Sequence, residues 1–387
     1  MKTTLFILKM YSLVICIILI AGCSDETNEV QEDIEQNSQL QAALAAPTEW
    51  TWIDNENIIS RDGSTGGYAV NFNTSATKLL IYLPGGRACF DAFSCGGNEP
   101  NYSEEKFFNN NDGSRAIFNR SVRADNQENL FKDWHQVFIA YSSGDVYSGD
   151  NENVNVKNGG DQNQTFKGFQ NFAAALSEII DFLNGQNIEV TDVVLAGSSA
   201  GGYGVLGNFD QMVSIVSGVY DEVQFTLIND AGYLLLDESV VPSCLNTDWQ
   251  ETFNIQVPDD LSQFTTTSYD FQFLGIYEYL NNKYPDANFG FYGSYSDLTS
   301  RTLLSLGQNE CSYQVGLIDA EIFKQGILAQ QTNLLSSLSN WKVYYRQTEN
   351  HTLLPAQDYT TAEVNGVKFV TWVNDLHNGT AVDIIDN

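Results

Sequence analysis

Short apolar runs separated by polar, glycine-containing stretches organise this chain. The runs at 79–83, 137–141, 193–196 and 223–228 are continuous rather than alternating, which predicts strands buried on both faces. Segments 288–292 and 341–346 read as two further strands. Ahead of them, 50–53 and 68–72 are β-like runs separated by Arg61-Asp62-Gly63-Ser64 and Gly66-Gly67, an antiparallel entry to a sheet. Between strands the spacing changes. Phe169, Phe172, Leu176, Ile179, Ile180 and Leu183 recur at helical intervals, with Gly185 as a stop. Helices are also expected at 202–217, 271–281, 300–306 and 366–376. The alternation predicts an α/β fold, a mostly parallel sheet with helices on both faces. Residues 233–288 have little rhythm of their own and read as an inserted cap region.

The run at 193–196 leads into Gly197-Ser198-Ser199-Ala200-Gly201, which fits G-x-S-x-G, the strand-to-helix elbow that exposes a nucleophilic serine. The glycine spacing selects Ser199 over Ser198. A serine hydroxyl needs a base, usually histidine, and the chain has three. His135 precedes a strand and belongs at the sheet edge opposite the elbow. His377 ends the last helix, where it should cap the helix or face solvent. His351 follows strand 341–346 on the elbow's side and is the candidate base. The acid should fall between serine and histidine in chain order. Counting 79–83 as the third strand makes 288–292 the seventh, which selects Asp297 after it. Asp230, after the sixth strand, is the alternative acid or a carboxylate supporting the site. An oxyanion needs two or more N–H donors. Ala200 supplies one, and Gly86 and Arg87, in the Gly85-Gly86-Arg87 loop after the third strand, supply the others.

The chain ends and the charge narrow the setting. Lys2 and Lys9 precede the apolar run 13–20 and Ala21-Gly22-Cys23, so residues 1–22 read as a signal peptide. Ile20-Ala21-Gly22-Cys23 resembles a bacterial lipobox, which implies lipidation at Cys23 and an exported lipoprotein of the outer membrane or cell surface. Residues 23–47 are acidic and read as a disordered tether, leaving 48–387 as the catalytic domain. The formal charge is −31, and more negative still without the two lysines, which excludes nucleic acid as a partner. The membrane then enters only through the lipid anchor, and the domain reads as a monomer. Cys89, Cys95, Cys244 and Cys311 suggest two disulfides in an exported chain, Cys89–Cys95 and Cys244–Cys311 being the preferred pairing of three. No CxxC occurs and no histidine stands near these cysteines, so neither a metal nor another cofactor is expected.

These motifs together resemble the pectin acetylesterase and Notum-type carboxylesterases. The resemblance rests on GSSAGG at 197–202, Gly85-Gly86-Arg87-Ala88-Cys89, Asp62-Gly63-Ser64, Gly144-Asp145 with Gly149-Asp150, and Asp230-Ala231-Gly232, in the family's order from about residue 50 to 376. It implies an α/β-hydrolase-like fold and a Ser199–His351–Asp297 triad. Two departures stand out: Arg87 and Ala88 replace a glycine and a tryptophan of the oxyanion loop, and a cysteine near Ser142 is missing. The resemblance implies a serine carboxylic-ester hydrolase removing O-acetyl groups from a polysaccharide. The alternatives are a longer-chain carboxylesterase, with Phe253, Phe264, Phe271 and Phe273 as candidate pocket residues, and a non-catalytic glycan-binding lipoprotein. Arg87, Arg115, Arg120 and Arg123 form a candidate patch for an acidic glycan.

Overall fold

The computed structural model describes residues 36–120 and 129–386. The signal segment, Cys23, the first part of the acidic stretch and Arg123 lie outside the described residues. Nine strands form one sheet: β1 (Thr51–Ile59), β2 (Thr65–Asn71), β3 (Lys78–Leu83), β4 (His135–Ile139), β5 (Asp192–Ser198), β6 (Gln224–Asp230), β7 (Asn288–Ser294), β8 (Trp341–Arg346) and β9 (Ile384–Ile385). Their spatial order is β1-β2-β4-β3-β5-β6-β7-β8-β9. The pairs β1–β2 and β2–β4 are antiparallel, and every other pair is parallel.

The continuous apolar runs follow from burial on both faces. In β3, Leu79, Ile81 and Leu83 enter one core, whereas Leu80 and Tyr82 enter the other. β5 divides in the same way, Val193 and Leu195 against Val194 and Ala196. The first core is covered by α1 (Gly168–Gly185), α2 (Ala200–Ser217), α3 (Ser243–Phe253), α4 (Ile276–Lys283) and α6 (Ala320–Asn333); the short α5 (Leu298–Leu304) lies beside them. The second core is closed by α7 (Phe369–His377) and by Phe107, Ile117, Phe118 and Phe131 of the segment between β3 and β4.

Several expectations are corrected. Residues 36–45 are helical, and Leu40 and Ala43 are buried in the first core, so the acidic stretch is docked at its C-terminal end rather than being a tether throughout. Leu40 and Ala43, one turn apart, seat it, with Leu44 packed beside them. α6 was not visible in the pattern, because it buries only Phe323 and Ile327 among its large apolar residues and fills the rest of its face with Gly326, Gln330 and Gln331. The 233–288 segment is not a single cap. Its last helix, α4, packs into the layer beside the sheet, with Tyr277 against Trp341 and Tyr284 against Phe209. Phe253, Phe264, Phe271 and Phe273 contact other aromatic rings and line neither of the cavities beside Ser199.

His377 is neither exposed nor a cap. It is buried, its Nε2 lies 2.9 Å from Asp192, and its Nδ1 lies 3.2 Å from the Thr226 hydroxyl, which fastens α7 to the far edge of the sheet. His135 opens β4 at that same edge, wholly buried. Its Nε2 is 3.1 Å from the Ala76 carbonyl and its Nδ1 accepts the Asn73 amide. Burial pushes its pKa down to about 4. A histidine neutral in the fold and titrating near 6.5 when unfolded stabilises fully above that pH and loses its contribution as pH falls towards 4, at most about 3 kcal/mol. His135→Gln should therefore flatten the fall of Tm between pH 6.5 and 4; an unchanged slope would assign the acid sensitivity elsewhere.

Candidate active site

β5 ends at Ser198 and α2 begins at Ala200, leaving Ser199 alone at the turn with φ 58° and ψ −117°. This is a conformation that residues with a side chain rarely adopt, at a cost on the order of 1–3 kcal/mol. It turns the Ser199 side chain out of the sheet, and the residue is half-buried where its neighbours are buried. The surrounding glycines allow the packing that holds it. A Cβ on Gly201 would collide with the Leu83 carbonyl, and one on Gly85 would lie 2.8 Å from the Ser199 Cβ. Ala200 heads α2, so its N–H has no acceptor within the helix.

Asp297 follows β7 and His351 follows β8. Their loops are laced together by backbone bonds from Tyr295 to Arg346, Ser296 to Thr348 and Leu298 to Glu349. Asp297 is buried at the N-terminus of α5, where its carboxylate accepts the Ser300 amide at 2.8 Å and the Ser300 hydroxyl at 3.1 Å. It also contacts His351 Nδ1 at 2.6 Å. His351 Nε2 is buried without a hydrogen-bond partner among the described residues, and His351 and Ser199 line the same cleft. The imidazole is thus oriented by Asp297 and keeps its second nitrogen available to a group in the cleft.

The glycine loop after β3 is held from behind by two stacked tyrosines, Tyr141 and Tyr147, with ring centroids 4.7 Å apart. The Tyr147 hydroxyl reaches the Pro84 and Ile139 carbonyls, both at 3.2 Å, and the Tyr141 hydroxyl donates to the Arg87 carbonyl at 3.3 Å. Asn98 donates to that same carbonyl at 2.9 Å. Tyr147 sits on a strained turn, with Val146 at φ 53° and Tyr147 at φ 61°. Buried Asp145 fixes the turn by accepting the Ser143 hydroxyl and the amides of Tyr147 and Gly168. Burial raises its pKa to about 6. None of these tyrosines was a candidate from the sequence; the Gly144-Asp145 motif beside them was the available signal.

Ser199 and Gly86 separate two spaces. On one side is an apolar recess of about 40 Å³ lined by Phe90, Tyr203, Leu245, Trp249, Leu303 and Leu304. On the other is an open cleft of about 510 Å³ that includes Tyr82, Arg87, Arg115, Leu298, His351 and Thr352. The recess is roofed by α3 and α5. The Cys244–Cys311 disulfide pins α3 to the chain following α5, and Cys89–Cys95 closes the short loop after Arg87. Among the described residues, the one cluster with metal-ligand spacing is Cys89, Cys95 and Asp161, and its sulfurs are joined in that disulfide.

The arginine patch is smaller than expected. Arg120 is turned inward onto the carbonyls of Asn71, Lys132 and Trp134. Arg115 pairs with buried Asp112. Arg87 lies over Phe93, 4.7 Å from the ring centre. Asp230 ends β6 beneath the elbow and makes no bond to His351; it accepts the Ser198 hydroxyl at 2.6 Å and the Leu353 and Leu354 amides.

A sheet of this order carrying a serine on a strained strand-to-helix turn defines a protein of the α/β-hydrolase type. The chain belongs to the pectinacetylesterase family, whose model matches residues 41–268, more than half of its length. Among similar proteins, palmitoleoyl-protein carboxylesterase notum2 of Xenopus laevis is 28% identical over 188 residues, 48% of this chain and 36% of that protein. The Mus musculus NOTUM carboxylesterase is 28% identical over 200 residues, 50% of this chain and 37% of that one. The chain thus matches little more than a third of these relatives' length. The crystal structure of the Wnt deacylase Notum from Drosophila has the same fold, with a TM-score of 0.62 at 18% identity, covering 88% of this chain and 96% of that one.

The tyrosine support has a measurable weight. Tyr147→Phe leaves the buried Pro84 and Ile139 carbonyls short of a donor and should cost about 1–3 kcal/mol in denaturant unfolding. An unchanged midpoint would show that the loop is held without it.

Proposed function

We propose that the chain is a serine carboxylic-ester hydrolase that removes short acyl groups, acetyl above all, from a polysaccharide. The observation carrying this reading is the asymmetry about Ser199, a small apolar recess on one side and a wide, open cleft of mixed polarity on the other. A water needs about 10–15 Å³ of such space, so the recess admits an acyl group of a few heavy atoms. The cleft leaves room for sugar rings, and Arg87 gives it one cationic wall suited to an acidic sugar.

In the proposed reaction His351 Nε2 takes the Ser199 hydroxyl proton as the oxygen attacks the ester carbonyl. Asp297 holds Nδ1–H and stabilises the imidazolium. The developing oxyanion receives the N–H groups of Ala200, Gly86 and Arg87, which are fixed before substrate arrives and so need no reorganisation. His351 then returns the proton to the departing sugar hydroxyl. A water activated by the same nitrogen hydrolyses the acyl-Ser199 ester.

Names of the relatives favour a second reading, since they are palmitoleoyl-protein carboxylesterases. The recess argues against a long chain here. p-Nitrophenyl acetate should be turned over with a kcat/KM well above that of the octanoate, and Trp249→Leu, which opens the recess, should raise the octanoate-to-acetate ratio by about tenfold. Preference for octanoate in the unaltered protein would replace the acetyl reading with the long-chain one.

Ser199→Ala should lower the rate by at least about 10⁴-fold and abolish labelling by a fluorophosphonate. Failure of the unaltered protein to label would favour a glycan-binding lipoprotein instead. Release of acetate from acetylated pectin, compared with neutral acetylated xylan, reports which glycan the cleft accepts.

A further inference from the structure

We propose that Asp230 is a positioning residue whose ionised carboxylate locks the Ser199 elbow and the His351 loop into one unit. This rests on the hydrolase reading above. The backbone and side chain of Asp230 hold different parts of the site. Its carbonyl accepts the Ser199 amide at 2.7 Å, which anchors the strained residue itself. Its Oδ2 accepts the hydroxyl of Ser198, the residue before Ser199, at 2.6 Å. The same carboxylate accepts the Leu353 amide at 3.0 Å on both oxygens and the Leu354 amide at 2.9 Å. These amides stand two and three residues beyond His351. Leu353 and Leu354 are themselves buried in the second core, so the loop cannot drift while the carboxylate holds it. A further donor completes the chain: the buried Tyr82 hydroxyl donates to Ser198 Oγ at 3.0 Å.

The protonation state follows from the partners. The three groups hydrogen-bonded to the carboxylate donate to it, and the two backbone amides among them can only donate. Burial pushes the group up to about 6, opposed by the bonds from Ser198, Leu354 and Leu353 and by the charge of His351; the Tyr82 and Tyr292 hydroxyls also face it. No lysine or arginine makes an ion pair with it among the described residues. At neutral pH the site therefore contains a second negative charge in addition to Asp297. That charge acts on the His351 imidazole and so stabilises the imidazolium formed during acyl transfer. An asparagine fits the volume but lacks the charge, and its N–H₂ cannot accept the Leu353 amide that both carboxylate oxygens accept.

The test uses the full chain with p-nitrophenyl acetate, rates being expressed per active site counted from the p-nitrophenol burst. Asp230→Asn should lower kcat at least about tenfold while KM changes by less than about threefold. The acid limb of its kcat/KM profile should move to lower pH by about half a unit or more, because no carboxylate remains at 230 to take up a proton there. Ser198→Ala should move that limb to higher pH, because without this donor Asp230 takes up its proton, and releases the lock, at a higher pH. A tenfold fall without movement of the limb would mean a purely structural residue and overturns the proposal, as does an Asp230→Asn protein with the parent's kcat and profile. If Asp230→Asn does not fold, Ser198→Ala decides, and an unmoved acid limb refutes the proposal. Absence of burst and turnover in the unaltered chain overturns the hydrolase reading instead, so the two failures are distinguished.

Discussion

Everything near the site depends on one residue being held in a backbone conformation it would not choose. Ser199, at φ 58°, is kept there because β3, β5 and α2 come closer than side chains would allow. Gly201 lets α2 meet the Leu83 carbonyl, and Gly85 lets the loop after β3 meet Ser199 itself. Parallel strands put all their C-terminal ends at one edge, so the loops after β3, β5, β6, β7 and β8 converge there. Each contributes one part: Gly86 and Arg87, Ser199, Asp230, Asp297 and His351.

Two buried carboxylates serve the loops on either side of Ser199. Asp145 sits under the turn that carries Tyr147 and thereby under the glycine loop; Asp230 sits under the loop that carries His351. Both have pKa values raised to about 6 by burial, and both are surrounded by hydroxyls and amides rather than by cations. Amides fixed in the backbone give such anions a rigid setting. Long cationic side chains would give a looser one at the same burial.

The fold was legible because burial on both faces leaves a mark in one dimension. The runs at 79–83 and 193–196 could be little else, and counting strands from them placed Asp297 and His351 at the same sheet edge as Ser199. The structure brings those two side chains within 2.6 Å. What was not legible depends on partners far along the chain. His377 read as a helix cap or a surface residue because Asp192 and Thr226 lie more than 150 residues earlier. The recess walls, Leu245 and Trp249, sit on a helix with weak amphipathic spacing that reaches Ser199 only through tertiary packing and the link to Cys311. Four phenylalanines in the same region looked like a pocket and are core. The helix at 36–45 was masked by its glutamines and by the acidic residues that precede it.

The way the glycine loop is held has a consequence for how this scaffold can diverge. The Arg87 carbonyl is gripped by Tyr141 and Asn98, while the Arg87 side chain only borders the cleft and rests on Phe93. The main chain at this position is therefore set from behind, independently of the side chain in front. The side chain at 87 can change while the main chain stays where it is. The chemistry of the cleft wall at this position becomes a freely exchangeable module on a fixed main chain.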